Sequence, residues 1–275
     1  MKREEITKLI EQGVQELHAA LANGRSDQLQ TYLDVMARFP RYSFNNCMLI
    51  ALQDPDCTMV QGFRAWKKLG RNVKKGGKGI GIIAPLLYRK KDDASASDDG
   101  DRSAIRGFKV VHVFDVSQTE GNDLPQFAAI TGDPGENITA LEHVIRSEGI
   151  ELEYDFPASG ADGVSQTGKI MVRPDLQAAE QFSVLVHELS HELLHTRKER
   201  CKETTKTIRE TEAEAVAHVV CRAVGIESIG HSADYIHLYH GDVQVLAESL
   251  DAIQKTAARI LDAIAVHSEQ QEVAA

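Results

Sequence analysis

Two histidines and a glutamate lie within five consecutive residues in the second half of the chain, in the run His187-Glu188-Leu189-Ser190-His191. Histidines four residues apart lie one above the other on one face of a helix, so both imidazoles can reach one ion at about 2.0–2.1 Å. Glu188 lies one position further round the helix, where a carboxylate can take a proton from metal-bound water. The spacing predicts a metal site with His187 and His191 as ligands and Glu188 as general base.

The residues around this motif indicate a helix that is apolar on nearly every side, with Phe182, Val184, Leu185, Val186, Leu189, Leu193 and Leu194. Polar side chains on a buried helix need a partner, and a metal ion supplies one. We expect zinc, with manganese as an alternative, because imidazole and carboxylate ligands suit both ions.

A catalytic zinc needs a third protein ligand and an open position for water. His195 lies about 12 Å from His187 along the helix axis, which is too far to share the ion, so we expect only a histidine at the end of a helix. Glu210 and Glu214 share one face of the next predicted helix, while Glu212 points elsewhere. We favour Glu210 as the ligand and Glu214 as a hydrogen-bond partner of a metal-bound histidine, with the reverse assignment as the alternative.

Such a site predicts metal-assisted peptide hydrolysis, in which the ion polarises the scissile carbonyl and Glu188 takes a proton from water. A donor that stabilises the oxyanion is also expected. The candidates crowd the segment 225–241 and are His231, Tyr235, His237, Tyr239 and His240.

The chain has 275 residues, of which 42% are hydrophobic, so it can form two modest domains or one large one. Apolar periodicity predicts helices first, then a β-hairpin with strands at 80–87 and 108–116, and an α+β second half with late helices. Residues 118–136 are rich in Gly, Pro, Asp and Asn and form the predicted linker. The four cysteines show no paired spacing, and no apolar run could cross a membrane. We therefore expect a cytoplasmic protein with no membrane partner.

Charge is distributed unevenly within a net charge of −10. Residues 1–125 carry 19 Lys+Arg against 16 Asp+Glu, and residues 57–91 contain ten basic residues and no acidic one. The only Trp lies within this basic segment. Cations beside aromatic faces are typical of proteins that bind single-stranded nucleic acid, although a solvated lysine face with a buried Trp is the alternative.

The second half resembles the zincin-type peptidase domain of ImmA/IrrE and ArdC-like proteins. The resemblance covers about 136–270 and rests on the His187–His191 motif and the acidic helix that begins at Glu210. In that family the first acid downstream of the motif is the third ligand. The resemblance implies a zincin-like metallopeptidase domain at 126–275, with His187, His191 and Glu210 as ligands, Glu188 as general base and Glu214 as outer partner.

The first half resembles the single-stranded-DNA-binding domain of ArdC-type antirestriction proteins. The motifs occur in the family's order at 42–46, 62–66, 70–76, 83–85 and 113–119. Gly77 departs from the family, which usually has Glu there. The resemblance implies a domain at 1–125, built of helices with a β-hairpin or small sheet, that binds single-stranded DNA. We predict that Arg71, Lys74, Lys75 and Lys78 contact phosphates and that Trp66 stacks on bases or supports the loop.

The resemblance implies a protein of a mobile element that protects incoming DNA from restriction, with a protein substrate that the sequence does not name. Two alternatives stay open. The protein could act only by coating single-stranded DNA, with a structural or inactive metal site, or it could be a regulator that cleaves a repressor. An intact Glu188 favours an enzyme, because a structural metal site does not require a base.

Overall fold

The computed structural model describes residues 3–89, 103–122, 132–196, 204–226 and 242–274. Helices and small sheets make up the described parts, which confirms the predicted α+β class. Within these ranges no helix is long and apolar enough to cross a membrane.

The first part of the chain contains helices and short antiparallel strands. They are α1 (Arg3–Ala22), α2 (Asp27–Arg38), α3 (Phe44–Gln53), β1 (Val60–Gly62), α4 (Phe63–Lys68), β2 (Arg71–Val73), β3 (Ile80–Arg89), β4 (Ser103–Asp115) and β5 (Thr119–Gly121). Three strands form one sheet in the order β1-β4-β3, and β2 pairs with β5. The predicted hairpin is confirmed as β3 and β4, while residues 90–102 between them lie outside the described residues.

The predicted linker at 118–136 is wrong at its start. Thr119–Gly121 is β5, which pairs antiparallel with Arg71–Val73. Strands of three residues carry too little alternation to be recognised by their period, so a Gly-containing segment of this length reads as a loop.

A buried carboxylate holds the corner where β4 ends. Asp115 is 3% exposed and accepts hydrogen bonds from the backbone N–H groups of Thr58 at 2.8 Å, Met59 at 3.1 Å and Ser117 at 2.9 Å. Burial raises the pKa of Asp115, but the bonds from Ser117, Thr58 and Met59 outweigh burial and leave it below the usual value. The carboxylate therefore joins the start of β1 to the turn after β4.

We expect Asp115→Ala to lower the free energy of unfolding by about 2–4 kcal/mol, because three backbone donors lose a charged acceptor. The folded-state pKa is depressed, so this stabilisation is present above the unfolded pKa and is lost as pH falls through the folded pKa. Denaturant unfolding of wild type and variant at pH 7 and near pH 3 measures the difference. A difference as large at pH 3 as at pH 7 would contradict a role for the charged form.

The second part of the chain places a three-stranded sheet beside a set of helices. The elements are α5 (Asn137–Ser147), β6 (Glu151–Tyr154), β7 (Gly163–Gln166), β8 (Lys169–Val172), α6 (Ala178–His191), a π-helical turn (Glu192–Thr196), α7 (Lys206–Ala223) and α8 (Val243–Ala274). The strand order is β6-β8-β7, with β6 parallel and β7 antiparallel to β8. Helix α6 packs against α5, α7, β7 and β8, so it lies at the centre of this part.

Contacts divide the chain into two compact units, Met1–Gly13 with Met48–Asp123, and Val14–Cys47 with Leu124–Ala275. Helix α2 thus belongs to the second unit, where it packs on α7. The last crossing between the units, at 123–124, lies beside the predicted boundary. The division into domains at 1–125 and 126–275 stays a prediction. A single boundary near 125 does not account for residues 14–47, which pack with the second unit.

Candidate metal centre

Helix α6 positions the two histidines of the motif. Phe182, Leu185, Val186 and Leu189, all fully buried, fix one side of the helix in the core. His187 and His191 lie one turn apart on the other side, and their Nε2 atoms are 3.1 Å from each other. Two ring nitrogens therefore face the same point in space, as the spacing of four residues predicts.

Glu210 on α7 completes a triangle of donor atoms. Its Oε2 lies 3.6 Å from the Nε2 of His187 and 3.4 Å from the Nε2 of His191. Ligands at about 2.0–2.1 Å from a tetrahedral ion are separated by about 3.3 Å, so these edges fit one face of such a tetrahedron. The three donors could hold a divalent metal ion, and a tetrahedral ion with three protein ligands would have a fourth position for water.

Glu214 lies one turn beyond Glu210 on α7 and contacts the other ring nitrogen of His187. Its Oε2 is 3.4 Å from the Nδ1 of that ring. A hydrogen on Nδ1 leaves the lone pair of Nε2 free for a metal, which is how metal-bound histidines are usually held. This arrangement favours Glu210 as ligand and Glu214 as outer partner over the reverse assignment.

Carboxylates around His187 favour positive charge at this point. Burial lowers the pKa of His187, but contacts with Glu210 and Glu214 outweigh it and raise the pKa to about 9. Conversely, His187 and His191 hold the pKa of Glu210 far below its usual value. A divalent cation is a stronger positive partner for these carboxylates than an imidazolium.

Glu188 lines the same two hollows as His187 and Glu210 and is only 8% exposed. Burial raises the pKa of its carboxyl group, although His187 and His191 partly oppose the shift. A carboxylate with a raised pKa accepts a proton more readily, as a general base must. Gly163 of β7 packs directly on it, since a Cβ there would lie 3.0 Å from Oε1 of Glu188 and 2.5 Å from Val184.

Sequence reasoning missed a pair of buried residues behind His191. The Nδ1 of His195 lies 3.2 Å from the Nδ1 of His191, and its Nε2 lies 3.0 Å from Oε2 of Glu212. His195 is 5% and Glu212 0% exposed. As predicted, His195 is not placed to share the ion, yet it is more than a helix-terminal histidine. Its spacing of four residues from His191 was the signal.

Another buried carboxylate joins α6 to the strands. Glu192 is 1% exposed and accepts hydrogen bonds from the Ser165 hydroxyl at 2.6 Å and the Gly168 N–H at 2.9 Å. Burial of such a group requires these donors. The contacts hold β7 and the turn after it against the end of α6, so the strand stays beside Glu188.

A cleft of about 630 Å³ opens beside the donor triangle, and a smaller hollow of about 340 Å³ lies next to it. Both are lined by Gly163, His187, Glu188 and Glu210. Among the described residues, β7 is paired on one side, with β8. Within that part of the chain, the donor triangle therefore borders an open groove. The predicted oxyanion donors at 231–240 lie outside the described residues.

The predicted DNA-binding residues lie in the first unit, where Trp66 and Arg71 have their polar atoms engaged within the protein. Trp66 is fully buried, with its Nε1 donating to the Phe114 carbonyl at 2.9 Å. The buried ring of Trp66 is not accessible for stacking on a base. Its burial agrees with the alternative prediction, that Trp66 supports the loop. Arg71 donates to the Thr119 hydroxyl at 2.8 Å, to the Thr119 carbonyl and to the Asn122 carbonyl.

The lysines of the segment remain accessible. Lys74, Lys75 and Lys78 are all exposed, although Nζ of Lys74 donates to the Ser117 carbonyl at 3.0 Å. Sequence reasoning missed the exposed aromatic residue, Phe63, which is 55% exposed at the start of α4. Its neighbours in the helix, Arg64, Lys67 and Lys68, are exposed as well.

Comparison with known proteins also separates the first part of the chain from the part that carries the histidine motif. Residues 3–114 match the family model of the N-terminal domain of anti-restriction factor ArdC. Residues 147–221 match the IrrE N-terminal-like domain, a peptidase-family model that spans the histidine motif and Glu210. No protein with curated annotation matches the chain.

Two crystal structures of the antirestriction protein ArdC from plasmid R388 share the fold. The metal-free structure has a TM-score of 0.55 at 16% identity, and the Mn(II)-bound structure 0.56 at 18%. Each likeness covers 94% of this chain and 98% of the other. At these identities the likeness shows the fold alone.

The chain therefore has two parts. A domain that matches the N-terminal domain of anti-restriction factor ArdC comes first, and an IrrE-like domain of a peptidase family follows it. The chain is an ArdC-like protein.

Proposed function

We propose that this chain is an antirestriction-type protein of a mobile element that binds single-stranded DNA and carries a metal-dependent peptidase site. The observation that supports the enzymatic part best is the triangle of His187, His191 and Glu210 with the buried Glu188 beside it. Zinc is the proposed ion because a site of two histidines and one glutamate suits it, and manganese is the alternative.

The residues of the site divide the work of peptide hydrolysis. A divalent ion held by the triangle supplies Lewis acidity toward the peptide carbonyl and acidifies water. Glu188 accepts the proton of that water and passes it to the leaving amine, a role that its raised pKa supports. Glu214 holds His187 through Nδ1, so that the Nε2 lone pair stays directed at the ion.

The groove beside the site suits an extended peptide. The side of β7 that does not face β8 can pair with a substrate backbone, as sheet edges do in peptide recognition. Gly163 allows the close approach between β7 and Glu188 that such pairing requires. The proposed substrate is thus an extended segment of a protein.

Removal of the metal tests the enzymatic proposal. We expect a chelator to abolish hydrolysis of an unfolded protein such as casein, and one equivalent of Zn²⁺ or Mn²⁺ to restore it, because the ion supplies the Lewis acid. Release of new amino groups measures the reaction, with and without single-stranded DNA. Hydrolysis that survives complete metal removal would contradict the proposal.

The proposed DNA contacts lie on the first unit. Lys74, Lys75 and Lys78 supply exposed charge for phosphates, and the exposed ring of Phe63 replaces Trp66 as the stacking group. Exposed rings beside cations give the sequence-tolerant binding that single strands allow. Arg71 remains a proposed phosphate contact. It would bind through the guanidinium N–H groups that do not already donate to Thr119 and Asn122.

We expect Phe63→Ala to weaken binding of an oligothymidine about 10-fold, since stacking on one base contributes about 1–3 kcal/mol. Replacing Lys74, Lys75 and Lys78 together should weaken binding on all sequences and flatten the dependence of log K on log salt by about 0.7 per lost phosphate contact. Fluorescence anisotropy measures both. Phe156→Ala is the matched control, because this ring is 60% exposed but lies in the second unit. Equal losses in both Phe variants would overturn the role of Phe63.

Coating of DNA without catalysis is the second candidate function. The exposed lysines favour it independently of the metal site. A restriction-protection assay in cells separates the two, because full protection by the Glu188→Gln variant would assign antirestriction to DNA binding alone. Loss of protection with unchanged DNA affinity would assign it to the enzyme. The third candidate is a regulator that cleaves a repressor. In that case we expect cleavage of one specific protein instead.

A further inference from the structure

A line of three buried or half-buried side chains runs from the donor triangle into the core. The Nε2 of His191 faces the triangle, its Nδ1 contacts Nδ1 of His195 at 3.2 Å, and Nε2 of His195 contacts Oε2 of Glu212 at 3.0 Å. His195 and Glu212 are nearly inaccessible to solvent, at 5% and 0% exposure. Burying a carboxylate this deeply costs free energy unless it has a specific partner, and for Glu212 that partner is His195.

One arrangement of hydrogens satisfies every contact in this line. A carboxylate only accepts, so the hydrogen between His195 and Glu212 is on Nε2 of His195. A neutral imidazole with that hydrogen has an accepting Nδ1, which requires the hydrogen between the rings to be on Nδ1 of His191. His191 then carries its lone pair on Nε2, the atom that faces His187 and Glu210.

The line also joins the two helices that carry the donors. His195 follows α6 directly, on the π-helical turn, while Glu212 is on α7 two residues from Glu210. Histidine ligands usually donate their second N–H to a carboxylate, a carbonyl or water. Here His187 follows that pattern through Glu214, whereas His191 is linked to the carboxylate of Glu212 through another histidine.

We propose that His195 and Glu212 are positioning residues that fix the tautomer and the ring orientation of His191. The pair keeps the hydrogen on Nδ1 of His191 and directs its Nε2 lone pair at the donor triangle. This inference extends the proposed metal site, and its expected effect on metal affinity rests on that proposal. The tautomer of His191 does not, because it is a property of the metal-free protein.

Nitrogen-15 NMR of the histidine side chains in metal-free protein tests the tautomer directly. We expect the signals of His191, assigned with a His191→Gln variant, to show a protonated Nδ1 and an unprotonated Nε2 in wild type. In Glu212→Gln, which keeps the size of the buried group, we expect a mixture of tautomers for both His191 and His195. A His191 that carries its hydrogen on Nε2 in wild type, or an unchanged tautomer in the variant, would overturn the proposal.

Metal affinity gives the second readout, by competition with a chromophoric chelator for Zn²⁺. We expect Glu212→Gln to weaken binding several-fold and the double variant His195→Leu/Glu212→Leu to weaken it about 10–100-fold, the range found for outer partners of metal ligands. The double variant removes both polar groups together, because an apolar pair of similar size is tolerated better than one unpaired charge.

His218 and Asp34 provide the matched control. They form another histidine–carboxylate pair at 3.0 Å in the same unit, with a buried His218 on α7, as Glu212 is, and a half-buried Asp34. We expect Asp34→Asn to lower stability while metal affinity stays within about 2-fold of wild type. Equal affinity losses in the control and the Glu212 variant would make both effects structural and overturn the positioning role. Failure of wild type to bind Zn²⁺ would instead contradict the proposed metal site, while the NMR result would still decide the tautomer.

Discussion

Glu188→Gln is expected to lose about 10²–10⁴-fold in the rate of peptide hydrolysis and to keep its metal. The amide has the shape of the carboxylate but cannot accept the proton from water, and general-base catalysis contributes about that factor. Glu188 lies outside the donor triangle, so the ligands are unchanged. The measurement is the hydrolysis rate at equal metal content, determined by elemental analysis of the same samples.

The control for this variant is its affinity for single-stranded DNA, which we propose lies in the other unit and which we expect to be unchanged. Loss of metal in Glu188→Gln would make Glu188 a ligand rather than a base. Hydrolysis at the wild-type rate would remove it from the mechanism.

The second large effect separates the two glutamates of α7. We expect Glu210→Ala to abolish stoichiometric metal binding, because it removes one of three donors, and Glu214→Ala to weaken binding only about 10–100-fold through the outer contact with His187. The two residues lie one turn apart on one helix and alanine suits a helix, so each variant is the control of the other.

Competition titration with Zn²⁺ and Mn²⁺ measures both affinities. Retention of metal in Glu210→Ala together with its loss in Glu214→Ala would establish the reverse assignment, the alternative that spacing alone left open. Equal losses would show a site in which both carboxylates ligate, unlike the geometry of the donor triangle.

The central part of the site could be predicted from sequence because its geometry is local. The spacing of His187 and His191 on one helix brings two nitrogens together without any knowledge of the fold. The face shared by Glu210 and Glu214 followed in the same way from the helical period. What spacing alone left open was the choice between them, because that depends on how α7 packs on α6.

The pair of His195 and Glu212 was missed for the same reason. Each residue has an ordinary explanation within its own helix, and only the packing of two helices joins them. Strand β7 was missed because four residues with one apolar side chain give no alternation to detect.

The basic segment shows where a local pattern misleads. Phe63 and Trp66 both lie on α4, a helix of six residues, which is too short for its apolar face to be read from the sequence. The larger aromatic is the buried one and the smaller is exposed. The family motifs nevertheless gave the order of the two domains, which the comparisons confirm.

The most direct test of the metal centre is a crystal structure of the protein loaded with Zn²⁺ or Mn²⁺, with anomalous diffraction recorded at the metal edge. The account predicts one strong peak per chain, bound by Nε2 of His187, Nε2 of His191 and a carboxylate oxygen of Glu210, with Glu188 beside the remaining position. A peak that excludes Glu210, or no peak between the two histidines, would contradict it.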